Sequence, residues 1–417
     1  MRKDVDVIIV GAGLAGLCCA KKLQEKGISF KLLEASDGVG GRVRTDKLDG
    51  FLLDRGFQVL LTAYPEARTV LDYQKLQLQT FYPGALIFFD SKFHRVANPF
   101  QRLIDGFMTA FSPVGSFMDK LRIALLHYSL ESQTVTKIFQ KTETTTLELL
   151  KGLSFSDDMI EKFFRPFFGG IFLERELRTS SKMFEFIFKM FSVGETAIPA
   201  GGMGAIPEQI ASTLTEGAIL LNTRAEMIDK GSVISETGEK FTGRAVVIAT
   251  EAPQLSRLVD KFAVSGSKKV TCLYFATPTP PTPEPILMLD GEGEGPVNNL
   301  SVLDSVAPSY APSGSSLISA TVIDDRGASD AELEEAVRKQ MARWFGEVVK
   351  SWKHLRTYRI AHAQPEQQPP ALAEAERAVK IEENLYVCGD HRDNASIYGA
   401  MVSGRRAAEA IIRDFQV

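Results

Sequence analysis

Val5-Asp6-Val7-Ile8-Ile9-Val10-Gly11-Ala12-Gly13-Leu14-Ala15-Gly16 is the stretch that decides how this chain folds. Val5–Val10 is a short β-branched run, the composition of a buried parallel strand. Gly11–Gly16 is a G-x-G-x-x-G loop, and Leu14 to Lys26 reads as a helix with Leu17, Ala20 and Leu23 at helical spacing and Gly27 as its stop. A second strand, Ile28 to Leu33, ends at Glu34, 18 residues past Gly16. Each element has a chemical reason. Gly11 permits the tight turn, Gly13 lets backbone approach a pyrophosphate, and Gly16 lets the helix pack close to the strand. Ala12, Leu14 and Ala15 complete a loop whose helix N-terminus offers free N–H groups and a positive dipole to phosphate. Glu34 stands where a carboxylate accepts hydrogen bonds from a ribose. A dinucleotide site is the expectation.

Composition bounds the rest. The chain has 417 residues, 44% hydrophobic and 24% charged, which excludes a disordered, collagenous or coiled-coil protein and suggests two or three domains. Lys plus Arg number 48 against 52 Asp plus Glu, so no basic excess exists to offset nucleic-acid phosphate. Four cysteines (Cys18, Cys19, Cys272, Cys388) lack zinc or disulfide spacing, and no histidine has a partner at i+3 or i+4, so no metal site is expected. The first apolar run leads straight into the glycine loop, unlike a signal peptide, and no 18-residue uncharged apolar stretch suggests a membrane span. A cytoplasmic protein is expected.

Soon after Glu34 come Gly38-Val39-Gly40-Gly41-Arg42-Val43-Arg44 and Gly50-Phe51-Leu52-Leu53-Asp54-Arg55-Gly56-Phe57-Gln58. A Gly-Gly-Arg loop brings bare backbone and one guanidinium to a dinucleotide phosphate. The run from Glu34-Ala35-Ser36 through Gly40-Gly41-Arg42 resembles the FAD-dependent amine oxidase, phytoene desaturase and protoporphyrinogen oxidase superfamily, nearest its carotenoid desaturase-like branch. Two further matches carry the resemblance: Pro199-Ala200-Gly201-Gly202-Met203, and Leu385-Tyr386-Val387-Cys388-Gly389-Asp390 followed by Gly399-Ala400-Met401-Val402-Ser403-Gly404. The resemblance implies non-covalent FAD, with no cysteine in 390–398 to tether it. It implies that Gly56, Phe57 and Gln58 lie along the cofactor and that Ala225 meets the adenine. Asp390 would accept from a ribityl hydroxyl or reach the pyrophosphate through water. A helix starting near Gly399, with Ala400 and Met401, would aim N–H groups at the flavin edge that becomes negative on reduction.

The expected architecture is α/β and α+β: a Rossmann-type FAD-binding domain, discontinuous over 1–75, 195–260 and 355–417, and a substrate domain of mixed sheet and helices over 76–194 and 261–354. Ile219–Ile228, Val233–Ser235 and Arg244–Thr250 read as strands of the first. Ser329-Asp330-Ala331-Glu332 is a capping box that opens an amphipathic helix through Val349. No second G-x-G-x-x-G domain follows, so electrons are expected to leave to oxygen, a quinone or another acceptor.

Phe163 to Phe191 holds nine of the 27 phenylalanines. Apolar stripes also run from Phe100 to Phe111 and through Phe117, Leu121, Ala124, Leu125 and Tyr128. Such stripes are usually core; the functional reading is an apolar tunnel, or a lipid-facing entrance, for a large hydrophobic substrate with peripheral membrane contact. Amine oxidases of the superfamily place a lysine near flavin N5 on a strand comparable to Val270-Thr271-Cys272-Leu273, where this chain aligns Thr271. They set an aromatic cage residue where this chain has Ser396. The expectation is hydride transfer from a C–H bond of a hydrophobic substrate to flavin N5, with Thr271, Gln58 and Tyr398 as catalytic candidates and Arg42 and His391 close by. An amine oxidase, and a flavin-free binding protein like the Rab GDP-dissociation inhibitors, are the alternatives. The intact Gly-Gly-Arg and Gly-Asp motifs argue against the last.

Overall fold

The computed structural model describes residues 4–97, 113–229, 231–259, 266–374 and 376–416. The opening motif folds locally into β1 (Val7–Val10), α1 (Leu14–Gln24) and β2 (Phe30–Leu33). β3 (Gly84–Phe89) and β4 (Lys92–Ala97) form a hairpin, followed by the helices α2 (Phe117–Glu131), α3 (Arg165–Phe172) and α4 (Ser181–Val193). Five strands come next: β5 (Ile219–Leu220), β6 (Ala245–Ile248), β7 (Ser267–Thr277), β8 (Leu287–Asp290) and β9 (Val297–Val302). The chain ends with β10 (Ser316–Val322), α5 (Asp330–Phe345), β11 (Lys353–Pro365), β12 (Lys380–Glu382), β13 (Leu385–Val387) and α6 (Ile397–Phe415).

Two sheets organise these elements. The first runs β5-β2-β1-β6-β13-β12, parallel except for β12. β1 at its centre is buried along its whole length, as its unbroken apolar run requires. The second runs β11-β7-β10-β9-β8-β3-β4 and is antiparallel except where β8 meets β3. The architecture is thus the mixed α/β and α+β one expected. β11 belongs to the second sheet, so the boundary expected at 355 is corrected: the chain returns to the first sheet after Pro365.

Leu333, Val337, Met341 and Trp344 of α5 cover Leu273 and Phe275 on the outer face of the second sheet. The capping box forms: Ser329 N–H donates to Glu332 Oε2 at 2.9 Å, and Glu332 N–H returns to Ser329 Oγ at 3.4 Å. α5 stops at Phe345, where Gly346 takes a φ of +71° that breaks the α-helical run, and Gly346–Ser351 goes on as a 3-10 helix past Val349. Asp54 ties a separate two-stranded ribbon, Thr45–Leu48 with Phe51–Asp54, to Tyr274 on β7 of the second sheet. Its carboxylate accepts from Met203 N–H at 2.9 Å and Tyr310 Oη at 2.8 Å, and its carbonyl accepts from Tyr274 Oη at 2.8 Å. Burial holds its pKa up at about 6 against the pull of those donors.

Candidate functional site

The glycine loop lies against β6. A Cβ on Gly11, whose φ is +105°, would sit 2.9 Å from the Ala249 carbonyl, and one on Gly16 would collide with the Gly11 carbonyl. A Cβ on Gly13 would meet nothing within 4 Å, because that backbone faces an open cavity. Glu34, at the end of β2, is nearly buried. Its Oε2 accepts from Ala12 N–H at 2.8 Å, and its Oε1 accepts from Ser36 N–H at 2.8 Å and Ser36 Oγ at 2.7 Å. Oε1 is thereby filled, and Oε2, with one bond made, keeps acceptor capacity toward the cavity that Glu34 lines. Gly40 N–H donates to the Ala12 carbonyl at 2.8 Å, which presses the Gly40-Gly41-Arg42 turn onto the loop.

The opposite wall comes from the far end of the chain. Arg42 Nη2 pairs with Asp390 Oδ2 at 2.8 Å, and Arg42 Nη1 donates to the Ala363 carbonyl at 2.8 Å. The guanidinium holds the Asp390 carboxyl below its usual range although burial opposes it. Ser396 caps α6, accepting from Gly399 N–H at 3.0 Å, so the expected cage position is occupied by a helix cap. Ile397 and Ala400 of that first turn line the cavity.

One continuous cavity of about 1710 Å³ joins these parts. Ordinary small-molecule sites span roughly 300–1,000 Å³, so this one has room for a dinucleotide and a second molecule. Beyond Gly56, Phe57 and Gln58 it becomes apolar, lined by Phe163, Phe167 and Phe168 around α3 and by Phe188 and Phe191 of α4. A π-helical turn at Ile160–Phe164 sets the phase of α3; such turns recur at functional sites. Phe164, Phe172, Phe184 and Phe186 of the same cluster are buried and absent from the cavity wall, so the phenylalanines serve both core and chamber. Among the described residues the cavity's arginines are all paired with carboxylates: Arg42 as above, Arg44 with Asp37, Arg55 with Asp46 and Arg224 with Glu236. Lys120 and His127 of α2 also reach the wall.

Of the expected cofactor residues, Gly11, Gly13, Leu14, Ala15, Glu34, Ala35, Gly40, Gly41, Arg42, Gly56, Phe57, Gln58, Ala225, Gly389, Asp390 and Ala400 line the cavity. Ala12 acts through its N–H to Glu34, while Gly16, Gly399 and Met401 lie behind the wall as packing. Two catalytic expectations are corrected. Thr271 Oγ1 donates to Asp325 Oδ2 at 3.0 Å on the outer face of the second sheet, and its neighbour Val270 lines the cavity, because strand side chains alternate. Tyr398 packs on Tyr64 and Phe186, with ring centroids 5.9 and 5.2 Å away, and its helical neighbour Ile397 takes the wall. His391 is buried off the wall. Gln58 does line the cavity; its Nε2 donates to the Arg42 carbonyl at 2.8 Å, and its buried Oε1 has no partner. Ala249, Thr250 and Glu251, past the carboxyl end of β6, were not anticipated, although ligands gather at the carboxyl ends of parallel strands. Among the described residues no cluster of three His, Cys, Asp or Glu side chains could hold a metal.

A phosphate loop, a ribose carboxylate, a Gly-Gly-Arg turn paired with a distal aspartate and an open buried acceptor fit a flavin dinucleotide. The fold and site fit a FAD-dependent oxidoreductase. The sequence pattern of the flavin containing amine oxidoreductase family matches residues 14–412, and the chain belongs to that family. It is 27% identical over 166 residues to protoporphyrinogen oxidase 2 of Arabidopsis thaliana, covering 39% of this chain and 32% of that one. It is 40% identical over 70 residues to a 15-cis-phytoene desaturase of an Oncidium hybrid, covering 16% of this chain and 12% of that one. The matched stretches thus span about a third or less of either relative. A putrescine oxidase triple mutant superposes with a TM-score of 0.73 at 16% identity over 98% of this chain and 99% of that one, a likeness of fold alone.

Proposed function

We propose that this protein removes a hydride from a C–H bond of a large, uncharged hydrophobic substrate and passes it to flavin N5, as a desaturase or dehydrogenase. The observation that carries the reading is the continuity of one cavity from the dinucleotide loop into a phenylalanine-lined chamber. When bound, FAD supplies the two-electron acceptor. The chain's own residues do the rest. Asp390 and Arg42 neutralise each other beside the cofactor, and the first turn of α6 aims its helix dipole at the wall where reduction would add charge. The aromatic chamber excludes water and binds by burial, worth about 0.8 kcal/mol per CH₂, which suffices without a charged anchor. The described arginines of the wall are each already paired with a carboxylate. We further propose that the substrate enters from a lipid surface past α2, that electrons leave to oxygen, a quinone or another acceptor, and that 1–75, 195–260 and 366–417 form the cofactor domain.

The test is anaerobic mixing with candidate substrates while the flavin absorbance is followed. A polyene or comparable apolar compound should bleach it, and benzylamine or spermine should leave it unchanged. Rapid stoichiometric bleaching by a primary amine overturns the reading in favour of an amine oxidase.

A further inference from the structure

We infer that the apolar chamber contains a built subsite for one neutral oxygen of the substrate, a hydroxyl or a carbonyl, formed by Asn299 and Thr321. The inference rests on the proposed hydrophobic-substrate reading and sharpens it.

The two side chains stand on the sheet floor of the cavity and are 4% and 3% exposed. They face each other across β9 and β10, where Asn299 Nδ2 donates to Thr321 Oγ1 at 3.2 Å. Behind them Asn298, fully buried, donates from Nδ2 to Asn299 Oδ1 at 3.1 Å and to the Pro166 carbonyl at 2.9 Å. Consecutive residues of a regular strand point to opposite faces. Here the register slips between Val297 and Asn299, and the bulge lets both asparagines reach the same network.

The network is short of partners. Asn298 Oδ1 is buried with none, and Thr321, having accepted from Asn299, still has its own O–H to donate. Asn299 likewise keeps its second amide N–H. Leaving buried polar groups unpaired is costly, so two donors maintained at a nearly buried place in the wall call for an acceptor. Gly170 of α3 keeps the place open. A Cβ there would lie 2.9 Å from Asn298 Nδ2 and 3.0 Å from Asn299 Oδ1. No cationic side chain pairs with these three residues, which favours a neutral oxygen over a carboxylate. With strands about 4.8 Å apart, Thr321 lies one strand and Asn299 two strands from β7, whose Val270 lines the same cavity, so an oxygen held there would orient the substrate within the chamber.

The holoprotein is titrated anaerobically with geranylgeraniol, its aldehyde and the hydrocarbon of the same skeleton, and the shift in the oxidised flavin spectrum gives each Kd. The alcohol or the aldehyde should bind about tenfold more tightly than the hydrocarbon. Thr321→Val and Asn299→Leu should abolish that preference while leaving flavin content unchanged, and Thr321→Ser should restore it. Equal binding of all three probes by the native protein, or a preference that survives both substitutions, overturns the subsite and leaves the hydrophobic-substrate reading standing. Failure of every probe to bind overturns both.

Discussion

Glu34 shows what a single side chain does in this site. Its carboxylate organises the loop through Ala12 and Ser36 and keeps one lone pair, on Oε2, for a ribose. A hydrogen bond to a charged group contributes about 1.5–3 kcal/mol, so Glu34→Ala should raise the Kd for FAD roughly ten- to hundredfold. Titration of apoprotein measures it; an unchanged Kd removes Glu34 from the site. His391 offers a test of a different kind. It is buried with neither ring nitrogen hydrogen-bonded, and burial lowers its pKa from 6.5 to about 4; Arg392, Arg42 and Arg377 push the same way and Asp390, 3.9 Å from Nδ1, opposes them. Between those values the unfolded chain takes up a proton that the folded one refuses. The stability contribution is therefore complete above pH 6.5 and is lost as pH falls toward 4. Urea midpoints of the native protein and His391→Phe should diverge across that window, the native protein losing more stability as acid is added. A constant difference would show that the ring does not titrate there.

At the scale of elements, α2 stands out. Phe117, Leu125 and Tyr128 are 70%, 61% and 62% exposed, and Met118 and Leu121 extend the same surface. The helix is firmly anchored nonetheless: Lys189 of α4 reaches its C-terminal end, where Nζ donates to the Leu130 carbonyl at 2.9 Å and the Glu131 carbonyl at 2.7 Å. Phe117 and Leu121 also touch the cavity, so the exposed apolar surface and the chamber share a border. That arrangement suits entry from lipid, since a hydrocarbon need not cross water. The expected stripe from Phe100 to Phe111 lies outside the described residues, and no described helix is long and apolar enough to cross a membrane. Flotation with phosphatidylcholine–phosphatidylglycerol vesicles should be lost in Phe117→Ser/Leu125→Ser while the flavin is retained. Undiminished flotation of that variant would mean that α2 does not meet the bilayer.

Across the whole molecule the cofactor cavity lies between two sheets whose strands come from separated parts of the chain, and Arg42 bridges them by pairing with Asp390 beyond β13 and donating to the Ala363 carbonyl on β11. FAD should therefore stabilise the entire fold by mass action. At a hundred times its Kd the gain is about 2.7 kcal/mol, read as a raised Tm. FMN at the same concentration should give a far smaller shift, because it lacks the adenosine half that Glu34 and Ala225 would hold. Heat denaturation should release FAD. Equal stabilisation by FMN, or its release, would remove the dinucleotide assignment.

The dinucleotide end of the site was legible in the sequence because its determinants are local. The strand, glycine loop, helix and Glu34 form one continuous segment, and the Gly40-Gly41-Arg42 and Gly389-Asp390 motifs carry their backbone requirements in their residue types. The substrate end was legible only as a density of phenylalanines, without its shape. Tertiary structure decided which strand face the cavity meets, so Val270 took the wall and Thr271 turned to Asp325; a shift of one residue reverses every side chain on a strand. It decided in the same way that Ile397 faces the cavity and Tyr398 packs on Tyr64. It also decided the π-turn before α3 and the bulge at Asn298–Asn299, because both arise from how neighbouring elements pair and pack. Composition and spacing fix which residues can bind a dinucleotide; the register of distant strands fixes which of them surround the substrate.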